Sequence, residues 1–161
     1  MQIFFLSDEL MIALCLILWL VFQLSAVVIC LKMPDRYFSP DRFLYRGHKW
    51  EVNGIFYEKV LKIRKWKHLL PDGGAIVKSG FSKKHLTDHS KENLERFQTE
   101  TCRAELTHFL AILPFWIFGL FTPPIVILFM FIYAVAVNMP CIITQRYNRI
   151  RLARVLKKHY T

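Results

Sequence analysis

Leu10 to Leu31 is a run of 22 residues without a single charge. At about 1.5 Å per residue it makes roughly 33 Å of helix, enough to cross the hydrocarbon core of a bilayer. The same segregation recurs downstream. Phe109–Phe121 is a second apolar block, short for a full crossing unless it starts near Leu106, and Ile125 to about Thr144 is a third of spanning length. With 161 residues, 54% of them hydrophobic, and a formal net charge of +10, the chain has room for one domain whose charged and apolar parts are kept apart. The expected fold is all-α: a multi-pass membrane protein of about three transmembrane helices, one N-terminal span (10–31) plus a C-terminal helical hairpin (106–121 and 125–144). A basic, interfacial helical cytoplasmic segment (32–104) and a basic tail (145–161) complete the single domain.

Orientation follows from the cations. Every Lys and Arg lies at Lys32 or later, the Phe121–Pro124 turn carries none, and only Asp8 and Glu9 precede the first span. An excess of Lys and Arg marks the cytoplasmic side. The N-terminus and the hairpin tip are therefore expected outside a cell membrane, with Lys32–Arg103 and the tail inside. A secretory signal peptide is the rival reading of the first span. It lacks a basic leading region, and its apolar run exceeds the usual ~7–15 residues. Cys15, Cys30, Cys102 and Cys141 form no close-spaced metal pattern and no disulfide framework. Cys102 and Cys141 read as small buried hydrophobes before nucleophiles.

Within the inner segment, Met33–Pro40 reads as an extended stretch along headgroups, because its two prolines disfavour helix before them. Trp50–Gly54 reads as a turn. Phe56, Val60, Ile63 and Leu70 recur near a 3.6-residue period among Lys59, Lys62, Arg64, Lys65 and Lys67, which predicts an interfacial helix over 55–70. The alternative for these cations is a solvated face on a helix packed against a neighbour. Pro71-Asp72-Gly73-Gly74 ends that helix as a turn or an anion-cradling loop, and Lys83-Lys84-His85 adds positive charge. Asp88 or Ser90 caps the next helix, which runs through Leu94 and Phe97 into the second span and kinks at Pro114.

Two polar signatures bracket the hairpin. The first is Glu100–His108. The second is Asn138-Met139-Pro140-Cys141 followed by Gln145-Arg146-Tyr147-Asn148-Arg149. A hairpin that crosses and returns delivers both to the same membrane face. On a helix Glu105 and His108 are i and i+3, sharing a face with Thr101 and Cys102, while Arg103 points away. Burying either ionisable group alone is expensive, so mutual pairing is expected. The carboxylate would fix the imidazole tautomer and leave the other nitrogen as a base for an alcohol. The plain alternative is a structural pair that anchors the helix. Asn138, Cys141, Gln145 and Arg149 fall on one stripe beside Pro140, which frees the Ala136 carbonyl and bends the helix. That stripe can supply oxyanion donors and a cationic clamp, so Asn138, Gln145, Arg146, Asn148, Arg149 and Arg103 are the candidates for oxyanion or substrate binding; headgroup binding is the alternative for Arg146 and Arg149 and the preferred reading for Arg151 and Arg154. Lys65 and Lys67 are candidates for donor phosphates or headgroups. One Glu-x-x-His motif is too few for a di-iron site, and His85 and His89 lack an evident third ligand, so no metal is expected.

Several stretches also resemble the glycosyl-4,4'-diaponeurosporenoate acyltransferases of staphyloxanthin-type carotenoid biosynthesis. They are Pro34-Asp35-Arg36-Tyr37-Phe38, Lys65-Trp66-Lys67-His68, Glu100 through His108, Ala136 through Cys141, and Gln145 through Leu152, in order from about 34 to 153. The chain departs from the pattern at Phe109 and at the tip Phe121-Thr122-Pro123-Pro124. The resemblance implies transfer of a fatty acyl group to a sugar hydroxyl of a membrane-embedded glycosyl carotenoid. No bound cofactor is implied, an acyl-CoA or acyl-carrier thioester being the co-substrate. Membrane lipid and glycolipid are the implied partners, with a complex of pathway enzymes open, and no nucleic acid. Two rival functions stand beside it: a non-catalytic membrane scaffold that binds anionic lipid or biosynthetic enzymes, and an acyltransferase for another glycolipid or a lysophospholipid.

Overall fold

A computed structural model describes residues 2–70 and 90–160. The expectations for Pro71–Gly74, Lys83–His85, Asp88 and His89 lie outside these residues. Among the described residues the regular structure is helical, with no strand. The chain divides into two compact units: 1–33 with 106–139, and 34–105 with 140–161.

In the first unit, helix α1 spans Asp8–Lys32. Asp8 and Glu9 lie in its first turn and Lys32 in its last, as the helix dipole favours. It ends where Pro34 forces Met33 into an extended conformation (φ −73°, ψ 134°), with the Met33 N–H still bonded to the Ile29 carbonyl at 3.1 Å. Its buried residues are Ala26 and Cys30, while Leu16, Ile17, Leu20 and Leu24 are exposed. The helices Asp8–Lys32 and Pro124–Tyr160 are long and apolar enough to cross a membrane, and only 6% and 17% of their apolar stretches are buried. The core helix of a water-soluble domain would bury that surface instead.

The hairpin's first arm changes geometry part-way. The α-helix Lys91–Ile112 gives way at Pro114 to a 3₁₀ segment, Leu113–Leu120, because proline removes a backbone donor and clashes with the preceding turn. Gly119 sits where an added Cβ would lie 2.7 Å from Ile127 Cδ1, so a larger residue there would make the Ile127 side chain move. Phe118 is fully buried among Trp19, Phe22 and Phe121, with ring centroids 5.8–6.4 Å away. The Ile3 and Phe4 amides donate to the Leu120 carbonyl at 2.8 and 2.9 Å, tying the N-terminal residues to the hairpin tip.

The second unit corrects the single helix expected over 55–70. Two short helices stand there, α2 (Ile55–Lys59) and α3 (Ile63–Trp66), separated by Lys62 in the left-handed region at φ 49°. One core cluster holds both Tyr57 and Ile63, together with Tyr147. On a continuous helix residues six apart lie about 120° apart, so a single helix cannot turn both into that cluster. Val60, assigned above to the apolar face, is 63% exposed. Trp50–Gly54 belongs to a 3₁₀ helix, Lys49–Gly54, which ends in positive φ at Asn53 and Gly54. The Met33–Pro40 stretch is likewise not wholly extended: Asp35–Tyr37 is a 3₁₀ turn that buries Phe38.

Helix α4 (Lys91–Ile112) starts as expected at Ser90, whose Oγ accepts the Asn93 N–H at 3.4 Å and whose carbonyl accepts that of Leu94 at 3.1 Å. Helix α5 (Pro124–Tyr160) runs unbroken through Pro140 and carries the tail as helix. Its Leu152 packs on Leu94 and Phe97 of α4.

Candidate functional site

The first unit contains a polar pair. His108 Nδ1 of α4 lies 2.9 Å from Asn138 Oδ1 of α5. Asn138 is buried, and its amide nitrogen donates to the Ala134 carbonyl at 2.9 Å. That bond fixes which end of the amide faces the imidazole. The facing atom is the oxygen, an acceptor, so Nδ1 carries the proton in this pair. The sequence points to Asn138 as an oxyanion donor; one of its two amide hydrogens goes to the Ala134 carbonyl.

The second unit contains a buried ionic network. Glu105 is fully buried, and its two oxygens accept from different guanidinium groups, Oε1 from Arg146 Nη1 at 2.8 Å and Oε2 from Arg149 Nη2. The sequence places an imidazole beside this carboxylate; the structure gives it two arginines. The reason is charge balance. A guanidinium neutralises a buried carboxylate and offers a fork of donors, which a neutral imidazole does not. An oxygen already holding a guanidinium proton is poorly placed to take one from an alcohol.

Arg146 bridges to a second buried carboxylate, donating from Nε to Glu51 Oε1 at 3.0 Å. The Tyr57 hydroxyl also donates to Glu51 Oε1, and the His48 amide to Oε2. Burial opposes ionisation of Glu51. The hydrogen bonds from Tyr57, Arg146 and His48 outweigh it and hold the carboxyl below its ordinary range. Burial and the adjacent carboxylate push the Tyr57 phenol well above its usual value. Arg146 also reaches the carbonyls of Leu44 (3.2 Å) and Arg46 (3.3 Å), and Arg149 Nε that of Tyr45 (3.0 Å). Two carboxylates and two guanidiniums cancel, which is how a buried network of this size is tolerated.

The other expected residues fall around this frame. Arg103 pairs with Asp35 and with Glu100 at 3.3 Å and lies 4.4 Å above the Phe38 ring, so it pins the 35–37 turn to α4. Gln145 is buried, Asn148 half-buried and Lys65 exposed. Cys102 is fully buried, which pushes its thiol up to about 11, outside the range of a nucleophile at neutral pH. Lys67 stands over the ring of Tyr147, 5.2 Å from Nζ to centroid.

Glu51, Tyr57, Glu58 and Tyr147 carry much of this geometry and were not among the sequence candidates. One signal was available: between Arg42 and Leu70, Glu51 and Glu58 are the only acidic residues among eight lysines and arginines. Isolated carboxylates in so basic a stretch are the natural partners for buried cations.

Residues 40–158 match a family model described as glycosyl-4,4'-diaponeurosporenoate acyltransferase. Two proteins of that name, from Staphylococcus aureus strains bovine RF122 / ET3-1 and MRSA252, are each 36% identical to the chain over 143 residues. The match covers 89% of this chain and 86% of theirs. No solved structure matches the chain.

Proposed function

Because the chain belongs to the glycosyl-4,4'-diaponeurosporenoate acyltransferase family, we propose that it moves a fatty acyl group from a thioester donor onto a sugar hydroxyl of a glycosylated carotenoid. The observation that carries the mechanism is the His108–Asn138 pair, 2.9 Å apart, with the amide oriented by Ala134. His108 Nε2 accepts the hydroxyl proton as the oxygen attacks the thioester carbonyl. A tetrahedral oxyanion forms, the C–S bond breaks, and the thiolate leaves with the proton returned by the imidazolium. Asn138 holds Nδ1 protonated throughout. Glu105, Arg146 and Arg149 are assigned to holding the second unit together rather than to proton transfer. The donor is acyl-CoA or an acyl carrier.

The setting is a cell membrane crossed three times, with the N-terminus outside and the basic segments cytoplasmic. Three features support it: two crossing-length helices, an uncharged stretch from Leu106 to Thr144, and N-terminal residues bonded to the hairpin tip. Residues 106–120 rise about 27 Å as helix and 3₁₀ helix, close to the ~30 Å of a hydrocarbon core.

A general base contributes about 10²–10⁴-fold. His108→Ala protein, inserted at normal levels, is expected to lose at least about a hundredfold in esterification of the glycosyl carotenoid by acyl-CoA. Near-normal product from that variant rules out His108 as the base. A deletion strain with an unchanged carotenoid ester and an altered lipid ester would move the reaction to another acceptor.

A further inference from the structure

Around Tyr147 the second unit gathers more positive charge than it neutralises. Tyr147 is fully buried, and three cations address it. Lys67 Nζ lies 5.2 Å from the ring centroid and Arg151 Cζ 5.6 Å, while Arg64 Nε donates to the phenol oxygen at 3.3 Å. The phenol donates to Glu58 Oε1 at 2.7 Å, the same oxygen that accepts Arg64 Nη2 at 2.7 Å. Glu58 thus answers Arg64, whereas Lys67 and Arg151 make no ion pair among the described residues. Three cations and one carboxylate leave an excess of two. The Lys67 ammonium feels it: burial, then Arg151 and Arg64, lower its affinity for the proton against the pull of Glu58. Arg64 and Arg151 are exposed and Lys67 half-buried, so the cluster is accessible.

We propose that this cluster binds a phosphate monoester, carried by the acyl donor or by a lipid headgroup. A dianion matches the excess charge, and its oxygens accept from the guanidinium fork of Arg151 and the ammonium of Lys67 at once. Tyr147 serves as the anchor: its ring lies within reach of both cations and its hydroxyl keeps Arg64 turned toward Glu58. The inference rests on the acyltransfer reading only for the donor as a source of the phosphate. It names a site in a unit that the proton-transfer chemistry does not use.

The test is equilibrium binding to full-length protein in phosphatidylcholine nanodiscs. One arm titrates coenzyme A against 3'-dephospho-coenzyme A, and a second titrates dioctanoyl phosphatidic acid. Lys67→Met and Arg151→Gln each remove charge-assisted bonds and are expected to weaken a phosphate monoester probe at least about tenfold. Glu58→Gln removes the opposing charge and is expected to tighten the same probe, a change of sign that misfolding does not mimic. Dependence seen with coenzyme A and lost with the dephospho form assigns the phosphate to the donor; dependence seen with phosphatidic acid assigns it to lipid. His108→Ala protein is expected to bind like the wild type, so failure of the base leaves this result untouched. Affinities for both probes that none of the three substitutions changes would overturn the proposal.

Discussion

The two units solve the burial of polar groups in opposite ways. The first pairs an imidazole with an amide, His108 with Asn138, among apolar helices. The second buries Glu51 and Glu105 with Arg146 and Arg149, and distributes their bonds over the carbonyls of Leu44, Tyr45 and Arg46. A carboxylate held at both oxygens by guanidinium groups is poorly placed to take a proton, which leaves the imidazole of the first unit as the proposed base. The contrast predicts that activity and stability fail separately when each unit is damaged.

The largest effects come from the two central residues. Glu105→Gln keeps the shape but leaves two guanidiniums without their shared carboxylate, and breaking a buried pair this way costs about 3–5 kcal/mol. Thermal unfolding of the purified protein is expected to show that loss, while His108→Ala melts close to the wild type and loses its turnover. A Glu105→Gln protein as stable as the wild type yet inactive would break the division and place the carboxylate in the chemistry.

Glu51 sharpens it by pH. Its folded pKa is depressed, so its contribution to stability is present above the unfolded value of about 4.3 and is lost as pH falls through the lower folded value. The gap in melting temperature between wild type and Glu51→Gln is therefore expected to be widest near neutrality and to narrow below about pH 4. A gap that does not vary with pH would show that the carboxylate charge is not what Tyr57, His48 and Arg146 hold. Tyr57→Phe removes one donor from this buried carboxylate and is expected to cost about 1–3 kcal/mol in the same melts.

The same contrast explains what could be read from the chain. The long apolar helix over 10–31 was legible because a charge-free run of that length leaves few other folds, and the Ser90 cap because its signal is local. The meeting of Glu105 with Arg146 followed from the hairpin, which needs only two apolar arms and a turn. The left-handed break at Lys62 was hidden because Phe56, Val60 and Ile63 satisfy a helical period by themselves. Only the packing of Tyr57 and Ile63 against Tyr147, over 80 residues away, decides otherwise. The choice of guanidinium over imidazole for Glu105 was equally non-local, since it depends on Glu51 drawing Arg146 into the same interior.

The smallest predicted effect is the most discriminating. If Asn138 only fills space, Asn138→Asp changes the pH dependence little. If its oxygen holds the Nδ1 proton, the substitution puts a carboxylate against the imidazole, favours the imidazolium, and raises the pH at which His108 becomes a base. The acidic limb of the pH profile of kcat/KM is expected to move upward, by about one unit. Asn138→Ala, which loses the hydrogen bond, is expected to lower kcat about 2–10-fold at unchanged KM. The ¹⁵N shifts of His108 give a readout independent of turnover: the Nδ1–H form should dominate in the wild type and lose its dominance in Asn138→Ala. An Nε2–H imidazole in the wild-type protein would mean that the Ala134 carbonyl does not orient the amide as the geometry requires. The proton would then have to be taken by a different group.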